Sequence, residues 1–305
     1  MNLNDDQFTE IFFHIDEFCQ EFEFELQKSS ITSNNKRTYK KRTPKMSYAE
    51  VMTILVSFHL SGAKCLKHYY ISYVQKHLTH LFNKTFSYNR FVEVESKVFL
   101  PLVFFLKHKG LGKCTGISFI DSTKIPVCNN KRIKRNKVFK DIAEVGRSTM
   151  GWFFGFKLHI VINDKGEILS FVVTKGNCDD RDMQVMEPIS KDLYGKVFGD
   201  KGYVSKKLFT WLYNDGIQLI THLKNNMKNH LMSVKDKIML RKRSIIETVN
   251  DELKNICQIE HSRHRSPANF LVNMVSGLIA YNFLPKKPSL KIEYDYQKPN
   301  LALQF

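Results

Sequence analysis

The sequence has no C-x-x-C pair, no internal repeat, no G-x-S-x-G elbow and no long apolar run free of polar residues. Six cysteines (Cys19, Cys65, Cys114, Cys128, Cys178 and Cys257) are scattered over 305 residues. That spacing fits neither a disulfide framework nor a zinc ribbon, so reduced intracellular thiols are expected. The first residues are acidic and lack the layout of a signal peptide, which points the same way. The longest uncharged run, residues 268–285, includes Asn269, Asn273, Ser276, Gly277 and Asn282 and reads as a buried helix, not a membrane span. A soluble, cytoplasmic chain is the expectation. Ser122 and Thr123 have no histidine close in sequence, which argues against a serine nucleophile.

Acid is what the chain lacks most. Forty-seven Lys and Arg stand against thirty Asp and Glu, a net charge of +17. A surplus of that size points to a polyanionic partner, nucleic acid or an acidic membrane surface. With no span in sight, nucleic acid is preferred. At 43% hydrophobic and 25% charged the composition is globular, and the length suits one large domain or two ordinary ones.

The first 110 residues read as helical. Residues 5–26 carry Phe and acids at helical spacing, and residues 29–45 are polar and basic, as in a linker closed by Pro44. Ser47 with Glu50 forms a capping box before the apolar run 51–60. Ser61-Gly62 then turns the chain into a second helical stretch through Leu81. Helix, glycine turn and helix, with Lys64, Lys67 and His68 at the second start, are compatible with a DNA-reading helix-turn-helix. An ordinary helical hairpin explains them as well. After Gly110 the texture changes. Short strands are expected at 116–121 and 125–128, a hairpin around Asn163-Asp164-Lys165-Gly166, a helix over 182–191 and a strand over 196–200. A helix over 205–214, a strand over 217–223 and helices from about residue 237 follow. This is a mixed α/β sheet flanked by helices, with domain bounds of 1–110, 111–285 and a tail at 286–305.

Asp121 and Asp200 each follow an apolar strand. If those strands lie parallel and adjacent, the two carboxylates meet at the sheet edge where open α/β sheets place ligands. Such a pair repels unless a cation neutralises it, and carboxylate oxygens suit Mg²⁺ or Mn²⁺. Two such ions about 3.5–4 Å apart clamp phosphodiester displacement. Glu247 is the candidate third acid. On a helix, Arg243 lies about 40° from Glu247, and Lys254 about 20° from Arg243. The three share a face beside Asn250 and Asp251. Taken alone, that pattern is equally an exposed helix laced with ion pairs.

Four ordered motifs carry a resemblance: Gly116 through Asp121-Ser-Thr, Gly176-Asn177-x-x-Asp180-Arg181, Gly199-Asp200-Lys201-Gly202-Tyr203, and Arg243-x3-Glu247-x6-Lys254. Together they resemble the DDE transposases of bacterial insertion sequences. The string from His261 to Phe270 resembles the insertion sequence 982 group. The resemblance covers about residues 116–284 and implies an RNase H-like fold with Asp121, Asp200 and Glu247 as catalytic acids and ligands of two Mg²⁺, with Mn²⁺ as a substitute. It implies cleavage at element ends, joining of the 3′-OH to target DNA, double-stranded DNA as partner and a dimer on that DNA. The insertion sequence 4 group carries Tyr three residues before the Arg, where this chain has Leu240. Arg243 and Lys254 remain as phosphate contacts. Another nuclease of the same fold and a non-catalytic DNA-binding derivative are the rival readings.

Further residues are weighed against simpler roles. Asp180 and Arg181 are expected to cap the next helix and orient the loop. Lys201 and Tyr203 either position DNA or form a plain turn. Lys131, Arg132, Lys134 and Arg135 suit a loop over bound DNA. Cys257, His261 and His264 have zinc-like spacing, but Arg263 and Arg265 would repel a cation, and a basic DNA-facing segment is preferred. If DNA is the partner, duplex affinity should fall with salt at a log–log slope steeper than about −5, from six or more phosphate contacts at ~0.9 each. Filter binding between low and physiological salt checks this, and a flat dependence would remove nucleic acid as the partner.

Overall fold

The computed structural model describes residues 3–30, 45–82, 84–149, 151–222, 232–260 and 264–290. Helix α1 (Asp5–Ser30) buries Phe8, Ile11, Ile15 and Phe18, one stripe at helical spacing, and packs on α2 (Tyr48–Leu60). Most of the expected basic linker lies outside the described residues. The capping box is present: the Ser47 hydroxyl accepts from the Glu50 N–H at 3.1 Å, and the Glu50 carboxylate accepts from the Ser47 N–H at 2.6 Å. Every residue from Val51 to Leu60 is buried. A helix apolar on all sides belongs inside a protein, and α2 contacts both α1 and α11 (Pro267–Asn282). It therefore has no free face for DNA. The second stretch is shorter than expected. It runs through α3 (Leu66–Tyr69), a π-turn (Tyr70–Val74) and α4 (Gln75–His77). Helices α5 (Tyr88–Glu95) and α6 (Phe99–Phe105) lead to the sheet.

Among the described residues the strands are β1 (Ile117–Cys128), β2 (Glu144–Ser148), β3 (Gly151–Asn163), β4 (Ile168–Lys175), β5 (Gly195–Gly199) and β6 (Ile217–Thr221). Strand β3 pairs antiparallel with β1, β2 and β4, while β1, β5 and β6 run parallel in that order. This is the mixed, helix-flanked sheet expected of an RNase H-like chain. Two details differ from the sequence reading. The strands expected at 116–121 and 125–128 are one strand, because Ser122, Thr123 and Lys124 continue the ladder opposite His159, Leu158 and Lys157. Strand β2 was not foreseen.

Side chains alternate across the sheet. On one face Phe119, Ile125, Leu158 and Phe198 join a cluster that includes residues of α1, α2, α10 (Ser244–Asn255) and α11. On the other, Ile120, Val161, Val197 and Leu219 pack beneath α7 (Met183–Ser190) and α8 (Lys206–Asn214). The N-terminal helices thus share one apolar cluster with the sheet, each fully buried Leu, Ile, Val or Phe contributing about 1.5–3 kcal/mol. Helix α9 (Val234–Lys242) precedes α10 and contacts β5 and β6. Among the described residues no helix is long and apolar enough to cross a membrane, and α11 is buried as its sequence implied. The start of the expected tail docks on the β3–β4 hairpin, where the Leu290 N–H donates to the Asp164 carbonyl at 2.8 Å.

Candidate active site

Parallel pairing sets the site. Ile117, Ser118 and Phe119 of β1 lie opposite Lys196, Val197 and Phe198 of β5. The same register carried two residues further brings Asp121 level with Asp200. Past Phe119, β1 pairs only with β3, so the two strands part where the acids stand. Asp121 is therefore inside β1, not at its end as the apolar run suggested, but it does stand where the parallel ladder ends. Asp200 follows β5 and caps a 3₁₀ turn (Lys201–Tyr203), its Oδ1 accepting from the Gly202 N–H at 2.8 Å.

Helix α10 supplies the third side. The Asn250 side-chain amide donates to Asp121 Oδ2 at 3.0 Å, which ties the helix to β1. Glu247, three residues earlier, accepts from the Arg243 guanidinium at 2.7 Å. Burial pushes the Asp121 carboxyl up to about 7; Arg243 and the Ser122 N–H pull it down, and the Asp200 and Glu247 charges add to the rise. Arg243, Asp200 and Glu247 thus all lie within Coulombic reach of Asp121. Among the described residues, Asn250 Oδ1 and the Tyr203 hydroxyl are buried there without a hydrogen-bond partner. An all-oxygen set with excess, partly desolvated negative charge fits a hard divalent cation. Among the described residues, however, no three Asp, Glu, His or Cys side chains are gathered closely enough to form a cage. Glu247 is turned onto Arg243 instead.

Behind Asp121 lies a second set of charges. Asp180 accepts from Lys157 at 3.0 Å through Oδ1 and from the Ser122 hydroxyl at 3.0 Å through Oδ2. Lys157 also donates to the Cys178 carbonyl at 2.8 Å. His159, fully buried, bonds Thr174 through Nε2, and burial lowers its pKa to about 4 despite nearby Asp180. Asp180 therefore anchors its loop to β1 and β3 and does not cap the next helix; Asp182 does that, accepting from the Gln184 N–H, while Arg181 pairs with Asp179 at 2.6 Å. Sequence reasoning missed Lys157 and Ser122 as partners of Asp180, and left Asn250 outside the site. Only for Asn250 was a signal present, since it sits on the helix face between Glu247 and Lys254.

The Transposase DDE domain family matches residues 111–267, just over half of the chain. The chain belongs to the DDE transposase family. Its class of chemistry is that of a DNA nuclease and strand transferase. No curated protein matches it. Similar solved structures include a piggyBac transposase synaptic complex with hairpin DNA, at 12% identity and a TM-score of 0.47 over 92% of this chain and 72% of that one. The Mos1 strand transfer complex is similar at 11% identity and a TM-score of 0.21 over 85% and 82%. At those scores the two likenesses add nothing to the assignment, which rests on the family match.

For this DDE transposase the remaining expected residues divide as follows. Lys201 is exposed beside Asp200. Tyr203 is not a surface ring: it is 1% exposed and packs with Ile120, Leu208 and Leu212, so DNA contact by this side chain is replaced by a core role. Its hydroxyl, desolvated and near Asp180, Asp121 and Asp200, stays protonated well above the usual tyrosine range. Lys131, Arg132, Lys134 and Arg135 are exposed on a 3₁₀ turn (Asn130–Arg135), and among the described residues none has a carboxylate partner. Lys254 reaches Glu260 at 3.2 Å. Cys257 is buried, burial holds its thiol up at about 12, and no metal cluster forms with His264 among the described residues; His261 lies outside them.

Asp121 gives a pH prediction for the protein in metal-free buffer. An unfolded aspartate titrates near about 3.9, the native group at about 7. Between those values the folded chain keeps a proton that the unfolded chain has lost, so stability falls as pH rises across that window. Asp121→Asn removes this titration. Its melting temperature should match the parent near pH 4 and exceed it increasingly up to pH 8. Parallel curves would mean that Asp121 is not held in a desolvated, anion-rich site.

Proposed function

We propose that this transposase cleaves DNA at the ends of a mobile element and joins the freed 3′-OH to target DNA, with Asp121, Asp200 and Glu247 as the reactive acids. The observation that carries this reading is the meeting of β1, β5 and α10. Parallel register aligns Asp121 with Asp200, and the Asn250–Asp121 hydrogen bond holds Glu247's helix against them. The three acids would hold divalent ions, Mg²⁺ or Mn²⁺, which when bound activate the attacking oxygen and stabilise the leaving one.

The protein's own groups have separable tasks. Asp121 sits inside a strand and Asp200 on the turn directly after one, so the sheet preorganises their spacing. Glu247 has to leave Arg243 to complete the set, and Arg243, once released, is free to meet a phosphate. Asn250 orients the Asp121 carboxylate. Lys201 and the turn bearing Lys131, Arg132, Lys134 and Arg135 offer exposed cations to the DNA backbone. Lys254 does so after parting from Glu260. The surplus of +17 supports duplex DNA as the partner. Resemblance to the insertion sequence 982 group supports a bacterial insertion sequence as the element, acted on by a dimer that pairs its two ends.

The test uses supercoiled plasmid carrying the element's ends, with Mg²⁺. The parent should nick at the ends and yield joined products. Asp121→Asn, Asp200→Asn and Glu247→Gln should each lower nicking at least about 100-fold, since several kcal/mol of charge stabilisation is lost. DNA binding should survive in all three, and the defects should not add in combination, because the acids act as a unit. Nicking without joining would make the chain a nuclease of the same fold. Full activity in all three variants would exclude this set of acids.

A further inference from the structure

The charge of the chain is not spread evenly. Helix α1 holds eight of its thirty acids and, in Lys28, one of its forty-seven Lys and Arg. The stripe of Phe8, Ile11, Ile15 and Phe18 accounts for the buried side of this helix. The opposite side faces solvent. At 100° per residue, Glu10, Phe13, Glu17 and Phe24 fall within about 60° of one another there. All four are exposed, Phe13 at 63% and Phe24 at 59%.

A second strip adjoins it. Helix α6 lies against α1 through the ring contacts Phe18–Phe105 at 5.4 Å and Phe22–Phe104 at 5.3 Å. Its outward side reads Lys97, Leu100, Phe104 and Lys107 at helical spacing, all exposed, with Leu100 at 61%. Lys97 and Lys107 stand on the 3₁₀ and π turns that flank α6 (Ser96–Val98 and Leu106–Gly110). Among the described residues neither lysine has a carboxylate partner, and neither Glu10 nor Glu17 has a cation. At the seam between the helices Lys109 pairs with Glu21 at 3.8 Å. An exposed apolar strip edged by acids on one helix and by cations along the next has the pattern of a contact surface, not of a solvated face.

We propose that the α1–α6 surface is a two-fold contact with a second copy of this chain, formed without DNA. A two-fold interface sets one patch against itself, so the patch has to be self-complementary. A half-turn about an axis along the α1–α6 seam lays the acids of each α1 over the lysines flanking the other copy's α6. The same half-turn gathers Phe24, Leu100 and Phe104 between them. Both signs are thus satisfied twice by a single sequence. The acids also repel phosphate, which keeps DNA off this face and leaves it to protein. The contact deepens the reading above, which calls for a dimer on DNA, by naming the surface and letting the two copies meet first; it does not depend on the reactive acids.

Sedimentation equilibrium in DNA-free, metal-free buffer reads the contact. The parent should dimerise, and more weakly as salt rises, because the rim is ionic. The double variant Glu10→Lys with Glu17→Lys should be monomeric, and so should Lys97→Glu with Lys107→Glu. Mixed in equal amounts, the two should form a heterodimer, since each reversed strip then meets its opposite. Leu100→Ser should weaken the parent dimer about 10-fold or more, the change counting twice in a two-fold interface. At concentrations where the parent is monomeric, every variant should melt close to it, because the altered side chains are exposed. A parent that stays monomeric at every concentration, reversed variants that dimerise singly, or reversed variants that fail to pair when mixed would overturn the proposal. A monomeric parent that binds a synthetic peptide of residues 31–44 would give the face to the chain's own basic stretch instead. A DNA-free monomer that still nicks element ends would sink this contact alone. A dimer without metal-dependent nicking would keep the contact and sink the transposition chemistry.

Discussion

The constraint on which this molecule turns is the parallel ladder between β1 and β5. It is short, three residue pairs, yet it decides which carboxylates become neighbours. Two acids from segments some eighty residues apart are set level by main-chain hydrogen bonds, which do not depend on the side chains they align. Mutual repulsion and burial then act on a geometry that the acids cannot escape by small shifts. The cost appears at Asp121, whose carboxyl is pushed up to about 7. Arg243 offsets part of that crowding, pulling the Asp121 carboxyl down and pairing with Glu247 at 2.7 Å.

Helix α10 is the second necessity, and the rest of the architecture serves to hold it. One face of α10 reaches Asp121 through Asn250, while Ile245, Ile246, Val249 and Leu253 are buried in the cluster shared with α2 and α11. Helix α2, buried from Val51 to Leu60, packs on α1 and α11 within that cluster. The N-terminal helices therefore brace the site from behind, and a change in their packing would be felt at Glu247 through α10.

Much of this was legible locally. The Ser47–Glu50 capping box, the turn after β3, the run ending at Asp200 and the uncharged segment that became α11 are signals in which neighbours in sequence determine the outcome. What escaped reading depends on distant partners. The polar stretch Ser122–Lys124 looked like a break in a strand, yet β3 holds it in one because backbone pairing does not require apolar side chains. Tyr203 follows a glycine in a tight turn and looked exposed, but the turn folds its ring under α8. Asn250 and Asp121 are 129 residues apart, and Asp180 and Lys157 belong to different elements; no periodicity encodes such contacts.

The central claim, that Asp121, Asp200 and Glu247 share one cation site, is tested most directly by mapping the ion itself. Fe²⁺ replacing Mg²⁺, with ascorbate and peroxide, cuts a polypeptide next to where the metal is bound, and mass spectrometry locates the cuts. The account expects cuts near residues 121, 200 and 247 together, suppressed by excess Mg²⁺ and lost in Asp121→Asn. Cuts confined to residues 179–182, or cutting unchanged in that variant, would place the metal elsewhere and contradict it.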